Sequence, residues 1–517
     1  MKTKINICKE YMTTVIAFIY FAILSFYKLM QAPFWGDECM EYICSLTTKG
    51  PINGITDYAS MYERMANIQQ QPPLYNWFLC LWIKISENDA WIRTSSIMFG
   101  FIAMIGLYTL VMKLGKKRNL AAFSVIIVSS IFVFQYYMKE AAEYSMMLAI
   151  LFWILCFFYD LLKNPSTKGA IIFTILCVLA MYTHYGTAFF IIPAALIVLV
   201  NAYANSNKKL GNTLLISDVV AVLGGGIPLV ALFLYPQSFN SVSTLQHVGQ
   251  VEWENDSVIY DIFSAIEQVN SYFLIDIDRD RAKLQWFILA AVLAFIAIAI
   301  VVAAKTKDVF LKNLLIFDAS TYILFYVATK LNIYAYGWFM TRYDLFMFPL
   351  MIVTVVSVII KLLEILPTKT AKIASYVLFA LFCLYCLYGI HRVDNHWTKR
   401  DERTVVSMWY DMDLENSNTF VNEMERYGFY YYFTHNSEYN EEYWNNIYMA
   451  NQKDISNNSS AEWSEYLQTK AYPDGIPTEL YVVTNYDDEL IKAFRELGYS
   501  TEELVDTTVG FFRVWKE

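Results

Sequence analysis

Charge is scarce in this chain: 17% of its 517 residues are Asp, Glu, Lys or Arg, against 57% hydrophobic and 17% aromatic, with a mean hydropathy of +0.35. Soluble globular domains carry about 25% charged residues, so a single water-soluble body is excluded. Histidine is equally thin, five in all, and the eight cysteines (Cys8, Cys39, Cys44, Cys80, Cys156, Cys177, Cys383 and Cys386) follow no metal-ligand spacing. Cys39 and Cys44 are near enough to pair in an oxidising compartment; two incidental thiols are the plainer alternative. No glycine-rich loop follows a strand, which removes a nucleotide-binding domain of the phosphate-loop kind. No basic stripe lies outside the loops between apolar segments, which removes nucleic acid as a partner. The first apolar segment has no small-residue cleavage site after it. Lys2, Lys4 and Lys9 therefore lead into a retained helix rather than a signal peptide.

Apolar runs of about 20 residues fill the chain instead, the length that crosses a hydrocarbon core. They fall at about 11–29, 91–113, 120–138, 142–162, 169–183, 186–203, 212–235, 284–304, 311–330, 342–363 and 372–390. The spacing predicts an α-helical polytopic membrane protein with about 11 transmembrane helices and termini on opposite sides. Orientation follows from Lys and Arg in the short loops. Lys113, Lys116, Lys117, Arg118, Lys163, Lys168, Lys208, Lys209, Lys305, Lys307, Lys312, Lys361, Lys369 and Lys372 all fall on the side of the N-terminus. That predicts a cytoplasmic N-terminus, with the 31–90 loop, the 236–283 loop and the C-terminal region outside. The apolar stretch 72–85 is too short to cross and is rich in Tyr75, Trp77, Phe78 and Trp82. Those aromatics suit an interfacial or re-entrant helix.

Charge is also unevenly placed. Residues 395–517 hold 10 Lys+Arg against 23 Asp+Glu, net −13, which leaves 29 against 25, net +4, for the rest. A membrane-embedded catalytic domain over 1–394 and an acidic, soluble, extracytoplasmic α/β domain over 395–517 are the expected organisation. In the latter, 479–484 reads as a strand and 487–497 as an amphipathic helix closed by Gly498. A last strand follows over 509–515.

The residues able to carry chemistry sit at the outer ends of the spans. Asp37 and Glu38 are adjacent acids just beyond the first span; a carboxylate there can take a proton from an acceptor hydroxyl, or simply cap the helix that follows. Lys139 and Glu143, four apart at the next outward turn, can meet an anion or pair on one helical face. Tyr182-Thr183-His184-Tyr185 is either a donor-rich turn aimed at a phosphate or a hydrogen-bonded structural turn. Arg342 and Tyr343 open the tenth span, where the helix dipole favours an acid. The arginine there suits a bidentate phosphate partner, with snorkelling to headgroups as its alternative.

Asp37-Glu38 after the first span, Gln71-Pro72-Pro73-Leu74-Tyr75 closing the first outer loop, Tyr182-Thr183-His184-Tyr185 and Arg342-Tyr343 together resemble glycosyltransferase family 39. This is the GT-C group of protein O-mannosyltransferases and bacterial aminoarabinose-transferase-like enzymes. The resemblance covers about residues 12–390 and is most specific in the first loop. It implies an inverting transferase that takes a monosaccharide from a polyprenyl-phosphate donor on the extracytoplasmic face. Asp37 would be the base or acceptor-orienting acid, with Glu38 beside it. Arg342 and Tyr343 would hold the donor phosphate, with His184, Tyr185, Gln71, Tyr75, Lys139 and Tyr144 lining the substrate site. The acceptor would be a lipid, a protein or a cell-wall polymer. Two departures stand out. Relatives commonly carry Glu-Ala-Arg-x-Tyr where this chain has Glu140-Ala141-Ala142-Glu143-Tyr144, which leaves the arginine's role to Lys139, Arg342 or no residue. Gln70 stands where the aminoarabinose enzymes have a metal-binding acid, which speaks against a divalent metal cofactor.

Two other classes fit the same layout. A transporter or flippase of a lipid-linked or anionic substrate would use internal repeats and broken helices; no repeat is visible, though Gly224-Gly225-Gly226 and Pro228 interrupt the seventh span. A non-catalytic membrane assembly factor would use its outer domain to bind a partner.

Overall fold

The computed structural model describes residues 2–29, 31–47, 60–240, 282–331, 333–334, 342–395, 400–423, 425–450, 459–484 and 488–516. Contacts divide the chain into two units. One joins Met1–Leu29, Gln71–Tyr75 and Trp91–His396; the other joins Met30–Gln70, Asn76–Ala90 and Trp397–Glu517. The division cuts across the 31–90 loop, most of which belongs with the C-terminal residues rather than with the spans.

The first unit is helical and multi-pass. Among the described residues eight helices are long and apolar enough to cross a membrane, and Arg118–Ser129 with Phe132–Met138 makes a ninth that is bent by 77°. Two shorter apolar helices, Tyr11–Phe26 and Thr167–Met181, occupy the two remaining expected spans. The segment 120–138 is therefore not the straight span its hydropathy suggests. The break falls at Ser129-Ser130-Ile131, and its orphaned backbone is satisfied locally. Gln135 Nε2 donates to the Ser129 carbonyl at 2.8 Å, Ser25 Oγ donates to Gln135 Oε1 at 3.4 Å, and the hydroxyls of Tyr20 and Ser130 lie 2.8 Å apart. In hydrocarbon each unmet carbonyl would cost several kcal/mol, so these side chains make the bend tolerable. The last span passes the break at backbone range: a Cβ on Gly389 would lie 1.9 Å from Ser130 O.

Packing ranks the helices. In Tyr144–Lys163 and Leu345–Ile365, 67% and 72% of the apolar window is buried, against 11% in Thr368–His391. The first two are the centre and the last is lipid-facing. Phe158 and Phe190 close on Phe317 with ring centroids 5.2 and 4.8 Å apart. Between lipid-bathed helices such contacts hold by close packing rather than by expelling water. Gly106 lets Asp89–Gly115 approach Tyr144–Lys163: a Cβ there would sit 3.1 Å from Phe152 Cβ, and Cys156 Sγ donates to the Gly106 carbonyl. The helix from Lys208 is widened by π-turns at Val222–Gly226 and Val230–Leu234, where three glycines and Pro228 weaken the regular ladder. At one end of the bundle Lys163 and Lys361 meet Asp308 at 3.1 and 3.6 Å, tying three inter-span turns together. Asp308 also caps Val309–Lys330, accepting from Leu311 N–H.

The tenth span begins later than its hydropathy implies. Arg342, Tyr343 and Asp344 form a turn, Leu345–Met347 a 3-10 turn, and the α-helix starts at Phe348 with Pro349 in its first turn, where proline costs no hydrogen bond. Arg342 is thus ahead of the helix and not its first residue.

The second unit holds a five-stranded sheet of order β2-β1-β3-β5-β4. Its strands are β1 Thr419–Val421, β2 Ile447–Met449, β3 Glu479–Thr484, β4 Ser500–Asp506 and β5 Gly510–Trp515. β1 runs parallel to β2 and β3, and β5 antiparallel to β3 and β4. Phe420, Trp463, Leu480, Val482, Phe494 and Val514 form its core. The helix Asp488–Glu496 ends at Gly498 with φ 86°, a left-handed position that glycine adopts without strain. In the same unit, the helices Gly36–Ser45 and Arg426–Thr434 join aromatic to aromatic, Phe34 tilted and Tyr42 edge-on against Tyr431 at 4.8 and 5.2 Å. Cys39 and Cys44 are buried thiols without a disulfide.

Candidate functional site

The candidates fall into the two units. Lys139, Tyr144, His184, Tyr185, Gln71, Tyr75, Arg342 and Tyr343 belong to the first; Asp37 and Glu38 belong to the second.

In the first unit the 182–187 turn is the hub. Helix Thr167–Met181 stops because the Ala180 carbonyl takes three donors: Thr183 N–H, His184 N–H and Thr183 Oγ1. His184 then caps the short Tyr185–Thr187 turn, its Nδ1 accepting from Gly186 N–H at 3.2 Å. With Nδ1 an acceptor, the ring proton of the neutral imidazole sits on Nε2, and that atom is buried with no hydrogen-bond partner in the protein. Burial, and then the charge of Arg342, pushes the His184 pKa down to about 3, so the ring is a neutral donor. The structural and the ligand-facing alternatives for His184 thus apply to different nitrogens.

Other segments gather on this turn. Tyr144 opens the Tyr144–Lys163 helix with its ring 6.3 Å from His184. Tyr185 Oη donates to Gln237 Oε1 at 2.7 Å, Gln237 Nε2 donates to the Gln71 carbonyl at 3.1 Å, and Leu74 N–H donates to the Tyr182 carbonyl at 2.9 Å. Tyr75 is fully buried with its hydroxyl 2.9 Å from Ser95 Oγ. Tyr334 Oη donates to the Tyr343 carbonyl at 2.9 Å and lies against Gly186, where a Cβ would come within 2.4 Å of that oxygen. Arg342 lies over the ring of Tyr343 at 5.3 Å. Lys139 is elsewhere on the same unit: its Nζ donates to the Tyr27 carbonyl at 2.8 Å. Burial, with Lys28 and Arg93 nearby, pulls its pKa down to about 8. Residues 139–143 are a bend, not a helix, so a helical i,i+4 pairing with Glu143 does not describe them.

In the second unit Trp35 precedes the first turn of Gly36–Ser45, which places Asp37 second and Glu38 third. Glu38 is fully buried and its Oε2 accepts from Trp35 N–H at 3.4 Å, which satisfies one amide of the helix start. Asp37 is half-buried beside it, in the first turn of the helix. One turn on, the buried Glu41 accepts from Gln69 Nε2 at 2.6 Å and Asn76 Nδ2 at 2.7 Å. That carboxylate anchors the polar stretch before Pro72-Pro73 to the helix bearing the acid pair. Glu41 was readable as the residue four beyond Asp37 on one helical face, with amides on both sides of the prolines to receive it.

Asp344 is the other residue not singled out by sequence. Its Oδ1 is buried without a hydrogen-bond partner, and burial pushes its pKa up to about 8. The signal was its place directly after Arg342-Tyr343. Among the described residues no three His, Cys, Asp or Glu side chains are grouped to hold a metal ion, and the proposed chemistry below is not routed through one.

Residues 70–224 match the family model of dolichyl-phosphate-mannose-protein mannosyltransferases. No curated protein matches the chain in sequence. Among solved structures, ArnT from Cupriavidus metallidurans is similar at a TM-score of 0.53 and 10% identity over 97% of both chains, in its apo state and bound to undecaprenyl phosphate. The Archaeoglobus fulgidus oligosaccharyltransferase in complex with Zn and sulfate is similar at a TM-score of 0.56 and 12% identity, over 96% of this chain and 72% of that one. The fold is that of the GT-C membrane proteins.

Proposed function

We propose that this chain is an integral-membrane glycosyltransferase that moves a monosaccharide from a polyprenyl-phosphate donor to an acceptor hydroxyl on the extracytoplasmic face, with inversion. The observation that carries the reading is the convergence of Tyr144, His184, Arg342 and Tyr343 from three separate turns on one polar cluster, buried but for the half-buried Arg342. Arg342, half-buried in that cluster, offers a planar guanidinium that suits a bidentate phosphate partner. The mannosyltransferase family match over 70–224 and the ArnT structure with undecaprenyl phosphate support a lipid-linked donor.

In this reading Asp37 takes the proton of the acceptor hydroxyl as its oxygen bonds to the anomeric carbon. The bond from that carbon to the donor phosphate breaks, and the polyprenyl phosphate leaves with the charge that Arg342 stabilises. Glu38, committed to the Trp35 amide, holds the helix turn that presents Asp37. The N-terminus lies in the cytoplasm and residues 395–517 outside, because the basic loops share the N-terminal side. Protease digestion of sealed vesicles tests this: a C-terminal tag should be cleaved only from the extracytoplasmic side.

Purified protein in nanodiscs, given a panel of labelled polyprenyl-phosphate sugars and membrane extract, tests the activity. Asp37→Asn should retain donor binding and lose turnover by about a hundredfold or more, the scale of a general base. Flux of intact donor without sugar transfer would instead establish a transporter.

A further inference from the structure

Among the polar atoms of the first unit that are buried with no hydrogen-bond partner in the protein are Gln71 Oε1, His184 Nε2 and Asp344 Oδ1. An unmet buried group costs about 1–3 kcal/mol, and native proteins rarely leave several together. Here the three come from separate segments that pack on one turn. Gln71 is held to it through Gln237 and Tyr185, His184 belongs to it, and Asp344 follows Tyr343, whose carbonyl receives the Tyr334 hydroxyl lying against Gly186.

We propose that Gln71, His184 and Asp344 form a subsite that binds the hydroxyl groups of an uncharged sugar. The inference rests on the lipid-linked donor proposed above and names the part of it that these residues meet. The set mixes donors and acceptors: His184 Nε2–H donates, the Gln71 amide oxygen accepts, and the neutral carboxyl of Asp344 can do either. Each sugar hydroxyl both donates and accepts, so adjacent hydroxyls can satisfy all three atoms. A phosphate only accepts; it suits Arg342 and would be turned away by the amide oxygen of Gln71. A cationic amino sugar would seek an ionised carboxylate, whereas burial favours the neutral carboxyl of Asp344.

The test is equilibrium binding to nanodisc-embedded protein of two probes: a polyprenyl-phosphate hexose, and the same polyprenyl phosphate without sugar. Asp344→Ala and His184→Phe should each weaken the hexose-bearing probe about tenfold, the loss of one buried hydrogen bond, and leave the sugarless probe unchanged. Asp344→Asn, which keeps the shape and the acceptor, should recover most of the loss. Gln71→Ala, at a half-buried position, supplies the same contrast where a core variant fails to fold. Equal losses for both probes, or no loss for either, overturn the subsite; wild-type preference for an aminosugar donor over the hexose overturns its class. If wild type binds neither probe, the donor reading itself fails, and that is seen before any variant is compared.

Discussion

Glu402 and Glu425 face each other inside the second unit, both fully buried, with Arg400 Nη1 3.4 Å from Glu425 Oε1. Burial, then repulsion from Glu425, holds the Glu402 carboxyl well above the usual range; burial also raises Glu425, against the pull of Arg400. The unfolded chain ionises both near the ordinary 4.5, so the folded state holds an extra proton above that pH. The pair's stabilisation is complete below it and is lost as pH rises toward the raised folded value. Glu402→Gln removes one of the two titrating carboxyls while keeping the side chain's shape. Its melting temperature should exceed that of wild type by a margin that widens as pH rises above the ordinary 4.5, and a margin independent of pH would refute the pairing. This pair was invisible in the sequence, because residues 23 apart meet only when two helices pack. Asp37 and His184 show the same limit in milder form. Their residue types marked them, but only the fold reveals that Glu38 is spent on a cap and that one nitrogen of His184 is spent on Gly186.

At the level of elements, hydropathy located each apolar helix among the described residues but misjudged two, the bent 120–138 segment and the start of the tenth span. Averaging over 120–138 hides Ser129-Ser130, two hydroxyl residues that can bond to their own backbone and let the chain turn by 77°. Gln135→Ala should leave the Ser129 carbonyl unmet and destabilise the protein by about 1–3 kcal/mol, read as a lower melting temperature in detergent. Gly389→Ala should do so more severely, since its Cβ has no room beside Ser130 O. In the tail, β3 and β5 were legible as apolar runs. β1 and β2 were not, at three residues each, and β4 hides behind Glu502, Glu503 and Asp506.

At the scale of the molecule, the membrane class and the acidic tail follow from composition alone. The membership of the first outer loop does not. Phe34 N–H donates to Tyr432 Oη and Tyr431 Oη donates to the Glu87 carbonyl, contacts across more than 340 residues of chain that no local pattern announces. The widened helix that begins at Lys208 has a different kind of reach. An α-helix advances about 100° per residue, and a π-turn carries more residues per turn. Each of its two wide turns therefore shifts the phase of everything after it. The stripe of Leu215, Ile216, Val219 and Val220 that meets lipid before Val222 does not continue on the same angular positions beyond Leu234. One rod thus presents two differently aimed faces, and a substitution tolerated at a given angle on its first half carries no licence for the same angle on its second.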